Sequence, residues 1–100
     1  MVIPEGELLQ LQLMDERLSG FLDGTVPIDR VVADVEGALD ALEQTPETWR
    51  RAFREDWVTL EVAYAVALSE STPALPNAST PELREAAERM LAMVEERTLG

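Results

Sequence analysis

The sequence predicts an all-α fold, an antiparallel four-helix bundle with the third helix central. Three observations carry this. Apolar residues recur at helical spacing in four separate stretches, and no stretch alternates with a period of two. Two of the connections between the stretches are only a few residues long, which makes their flanking helices antiparallel neighbours. Hydrophobic residues make up 46% of a 100-residue chain, enough for one core and one helical domain over residues 1–100.

The first helix is expected over Glu5–Asp23. Leu8, Leu11, Met14, Leu18, Phe21 and Leu22 share one face, and Gly24 suits a left-handed C-terminal cap. The second is expected over Pro27–Gln44, with Pro27 in the first turn and Ile28, Val31, Val32, Val35, Ala38, Leu39 and Leu42 in one stripe. The third is expected over Pro46–Glu70, with Thr45 as N-cap, Pro46 opening the helix and Glu47 as the first-turn acid. Its main face is Trp49, Phe53, Trp57, Leu60, Tyr64, Ala67 and Leu68, which holds four of the five aromatics. Val58, Val62 and Val66 form a second apolar line on the opposite side. A helix apolar on two sides is central or has a second partner. The fourth is expected over Pro81–Arg97, opened by Thr80, Pro81 and Glu82, with Leu83, Ala86, Ala87, Met90, Leu91, Met93 and Val94 inward. Ser71–Ser79 contains two prolines and is not helical throughout.

Charge narrows the function. There are 20 acids against 8 cations, a net charge of -12. That excludes an ordinary nucleic-acid binder, which needs a basic face, and docking on anionic membranes. No apolar run approaches the roughly 20 residues of a membrane span, and no basic leader precedes Glu5, so a cytoplasmic location is expected. Cys, His and Lys are absent, which removes disulfides, thiolate chemistry, the usual proton shuttle and the Schiff-base amine. No enzyme, catalytic residue, cofactor or metal is expected. A carboxylate metal enzyme is the weakest reading: Glu82, Glu85 and Glu88 recur at intervals of three, but Glu85 with Arg89 reads as a solvated helix face.

Binding is the stronger expectation. On the second helix Asp29, Glu36, Asp40 and Glu43 fall within about 60° of one another beside the apolar stripe. Like-charge neighbours there destabilise the helix by about 0.2–0.5 kcal/mol per pair. One reading is a docking surface for a basic protein. The other is an ordinary solvated face, in which the antiparallel hairpin brings Arg50 and Arg54 near Asp40 and Glu43. Glu61 is the only charge from Trp57 to Ser69 and has no cation three or four residues away. It is expected to form a structural salt bridge, with Arg17 or Arg30 as candidates, to be a surface acid, or to touch a partner. Leu9 and Leu13, opposite the main face of the first helix, and the valine line are either part of a wide core, with the N-terminal arm or the proline loop lying over one of them, or a second packing surface, homodimeric or for another protein.

The run Gly20-Phe21-Leu22-Asp23-Gly24-Thr25-Val26-Pro27-Ile28 resembles the opening of colicin-D-type immunity proteins, and the size, acidity and four-helix order are similar too. The resemblance implies a small acidic bundle that covers the active site of a cationic nuclease toxin with carboxylates, acids on one helical face standing in for RNA phosphates. The expected partner-binding residues are Asp29, Glu36, Asp40, Glu43 and Glu61, and the expected partner is a basic, toxin-like bacterial protein. The alternative is a homo-oligomeric scaffold or accessory subunit of a bacterial complex, using Leu9, Leu13 and the valines.

Overall fold

The apolar periods fold into four helices, with no strand among the described residues, which are 4–71 and 74–99 of the computed structural model. They are α1 (Glu5–Asp23), α2 (Ile28–Asp40), α3 (Glu47–Ser69) and α4 (Pro81–Leu99). Helices α1 and α3 each pack on both α2 and α4, and neither diagonal pair comes close. Side-chain bonds fix the directions. Arg17 Nε donates to Asp34 Oδ2 at 2.7 Å across α1–α2. Trp57 Nε1 donates to the Val32 carbonyl at 3.0 Å across α2–α3. Arg89 Nη2 donates to Asp56 Oδ1 at 3.0 Å across α3–α4, and Leu11 and Gln12 share a groove with Thr98 across α1–α4. Neighbours are therefore antiparallel all round the ring. The extents of 45 × 22 × 19 Å correspond to two helix diameters in each cross direction.

The third helix is not central, contrary to expectation. It lies on the perimeter like the others, because the helices form a ring in which each packs on only two neighbours. Val58, Val62 and Val66 are exposed on its outer side. The enclosed space is filled by Leu11, Met14 and Leu18 from α1, Val31, Val35 and Leu39 from α2, Phe53, Trp57 and Leu60 from α3, and Leu83, Met90 and Val94 from α4. Burying a side chain of this size contributes about 1.5–3 kcal/mol.

The turn after α1 follows the expected chemistry. Gly24 adopts φ 88°, and the N–H groups of Thr25 and Val26 donate to the Gly20 carbonyl at 2.8 and 3.1 Å. This closure lays Val26 on Gly20, where a Cβ would run into Val26 Cγ2.

The end of α2 departs from expectation. The helix stops at Asp40 rather than Gln44, and Leu42 is buried from the connector. Pro46 disfavours helical backbone at Thr45. Thr45 itself is engaged elsewhere: its Oγ1 donates to Glu7 Oε1 at 2.6 Å, with both residues buried. Thr45 is thus not the side-chain cap expected for α3. Pro46 holds the N-cap position, and no side chain caps the helix. Within the expected Ser71–Ser79 connection, residues 72 and 73 lie outside the described residues, as do residues 1–3, on which the expectation about a leader falls, and residue 100.

Candidate interaction surface

Two contacts identify the edge of α2 that borders α3. Trp57 bonds to Val32, and Arg54 Nη2 meets Asp40 Oδ1 at 3.2 Å. At 3.6 residues per turn, Asp29 and Glu36 point in nearly the same direction as Asp40. Asp29 and Asp40 are exposed and Glu36 is half-buried. Asp40 is neutralised by Arg54, as the solvated-face reading expects. Asp29 and Glu36 make no ion pair among the described residues.

Glu43 leaves this stripe. It lies beyond the end of α2, exposed, with its N–H on the Ala41 carbonyl at 3.1 Å. Helical phase no longer sets it beside Asp40. Neither Glu43 nor Arg50 makes an ion pair among the described residues, so their expected approach gives no neutralisation.

The pairing expected of Glu61 is also absent. Arg17 is held by Asp34, and Arg30 is exposed and makes no ion pair among the described residues. Glu61 is half-buried, so its carboxylate keeps contact with water and needs no tertiary cation. The Trp57–Val32 bond sets its level. Glu61 stands about one turn past Trp57, and Asp29 about one turn before Val32. The antiparallel register therefore brings Asp29 and Glu61 to the same level of the α2–α3 edge.

The other half of that edge carries three cations against two acids. Leu39, Asp40, Glu47, Arg50, Arg51 and Arg54 line a shallow groove of about 270 Å³. Arg51 Nη2 bonds Glu47 Oε1 at 3.3 Å, and the Arg54 guanidinium also lies 5.5 Å over the Trp57 ring. Arg50 Nε is buried without a hydrogen-bond partner. On the α3–α4 side Arg89 is committed to Asp56. The hydrogen bond to that carboxylate, and then its charge, hold the guanidinium further in its charged form.

The two proposed apolar surfaces separate. Leu13 packs against the core, and only Leu9 of that pair is strongly exposed, at 60%. Val58, Val62 and Val66 are exposed to 40, 50 and 47%. Sequence reasoning missed the buried Glu7–Thr45 bond. Its signal was present: Glu7 precedes Leu11, Met14 and Leu18 at intervals that place it on the core face of α1. Glu82, Glu85 and Glu88 do not converge, and among the described residues no group of three or more acids could hold a metal ion. No helix among them is long and apolar enough to cross a membrane. No protein-family model matches the chain, and no curated protein or solved structure matches it.

Proposed function

We propose that the chain is a non-enzymatic binding protein for a cationic protein, acting in the manner of an immunity protein or antitoxin by covering a basic surface. One observation carries the reading: among the described residues only five of the 20 acids are engaged in ion pairs, and the others include Asp29, Glu36, Glu43 and Glu61. Such a surface attracts a basic partner over the screening distance of about 8–10 Å and repels acidic ones. The acid half of the α2–α3 edge holds Asp29, Glu36 and Glu61, none of them in an ion pair among the described residues. Asp40 contributes less to docking, because Arg54 already neutralises it. The absence of His, Cys and Lys from the sequence supports binding over catalysis. The resemblance of residues 20–28 to immunity proteins points the same way.

The test uses the wild-type chain and a D29N/E36Q/E61Q variant as immobilised bait for lysate of the native host. The expected result is a basic protein retained by the wild type, released as salt rises, and lost with the variant. Retention of only neutral or acidic proteins, or equal retention by both baits, overturns the proposal. Melting curves of the two baits confirm that the variant is folded.

A further inference from the structure

The outer side of α3 carries an apolar line that the bundle does not use. Val58, Val62 and Val66 recur every four residues, all exposed, with exposed Ala65 and Ser69 beside them. Valine loses rotamer freedom in a helix, so at a solvated position it is a poorer choice than alanine. Three valines in line keep 40–50% of their surface in water, so the isolated chain gives them only part of the burial that would offset this.

Acids border the line on both sides. Toward α2 stand Glu61 and, level with it, Asp29, with Glu36 further along the same edge. Toward α4, Glu82 lines a groove of about 370 Å³ with Val58, Thr59, Val62, Ala63 and Leu83. Of the cations on these edges, Arg54 and Arg89 are bonded to Asp40 and Asp56, and Arg30, next to Asp29 in sequence, points about 100° away around α2. The border is therefore anionic on both flanks and apolar between them.

We propose that this face seats an amphipathic helix with basic flanks. The inference rests on the reading of a cationic partner and names the segment such a partner presents. Charge selects this occupant over a second copy of the chain. A copy would set the same acid border against itself, between molecules that each carry -12. The valine line is also short, about 12 Å from Val58 to Val66, whereas a stable interface takes about 800 Å² from each partner. A helix of a few turns laid along α3 fits that length. Its apolar residues at i, i+4 and i+7 meet the valines and the α3–α4 groove, and its Lys or Arg flanks meet Glu61 and Asp29 on one side and Glu82 on the other.

The test uses two synthetic helical peptides of roughly 18 residues with the same leucine stripe, one flanked by Lys and one by Glu. Valine methyl and backbone amide shifts of the full chain report where each binds. The Lys-flanked peptide is expected to move the Val58, Val62 and Val66 methyls, and the Glu-flanked peptide to bind about tenfold or more weakly. V62S/V66S should weaken the Lys-flanked peptide about tenfold while leaving the melting temperature nearly unchanged, and V62I should retain binding. Equal binding of both peptides overturns the proposal. So does valine-methyl movement that depends on protein concentration without peptide, which would assign the face to a second copy. If the Lys-flanked peptide moves only α2 amides, or binds nowhere while the bait experiment still retains a basic protein, the valine face is refuted and the cationic-partner reading stands. If neither experiment finds a cationic ligand, both fall.

Discussion

At the scale of single residues, two buried polar contacts set how the helices meet. Trp57 fills the core and directs its one polar atom to a carbonyl of α2. The bond fixes the register on which the acid edge depends. W57A is expected to lower unfolding free energy by about 3–5 kcal/mol. W57F keeps most of the volume and should lose only about 0.5–1.5 kcal/mol. Denaturant titration separates the two, and a nearly neutral W57A would contradict the burial of this ring. Glu7 and Thr45 form the second contact, joining the start of α1 to the α2–α3 connector. T45V strands a buried carboxylate whose other oxygen, Oε2, already lacks a partner, at an expected loss of about 1–3 kcal/mol. In E7Q/T45V the loss should be smaller than the sum of the single losses, and a double-mutant cycle reads that coupling. Strict additivity would mean that the bond contributes nothing.

At the scale of elements, the glycines of the first two helices give opposite expectations. G20A should lower stability by about 1–3 kcal/mol, because the new methyl meets Val26 where the α1–α2 turn folds back. G37A, on the exposed side of α2 with nothing near its would-be Cβ, should raise stability by about 0.5–1 kcal/mol. Melting temperatures of the pair check both signs. Where local chemistry and tertiary contact agreed, the sequence was readable. The cap at Gly24, the limits of α1 and the start of α4 at Pro81 follow from residues that act only on their own helix. The end of α2 was not readable, because Thr45 looks like a cap until Glu7, 38 residues away, is brought to it. The same blindness to distance put Glu43 on the stripe and gave Glu61 a cation. Helical phase orders residues around one axis but does not say which neighbour faces them. The valine line shows this in reverse: the apolar periodicity holds, and the centrality inferred from it fails because among the described residues no fifth element lies over that face.

At the scale of the whole molecule, the acid surplus acts against the fold and in favour of association. Among the described residues most carboxylates have no cation bonded to them, so screening should relieve repulsion within the folded chain. Raising sodium chloride from a few millimolar to about 0.15 M, where the screening length is about 8 Å, should raise the melting temperature. A falling melting temperature would show that the five ion pairs outweigh the surplus. The same salt should weaken capture of a cationic partner, so stability and affinity move in opposite directions along one titration.

The ring of helices also constrains how the chain folds. Three of its four contacts, α1–α2, α2–α3 and α3–α4, join sequence neighbours, and only α1–α4 joins the two ends. Bringing distant segments together carries a loop-closure entropy that adjacent hairpins avoid, so the α1–α4 seam should form last. Residues that α4 buries in the core would then make their contacts after the rate-limiting barrier. V94A should mainly accelerate unfolding, and V35A, in α2, should mainly slow folding. Stopped-flow chevrons of the two variants would show the seam as the part of the bundle that opens first.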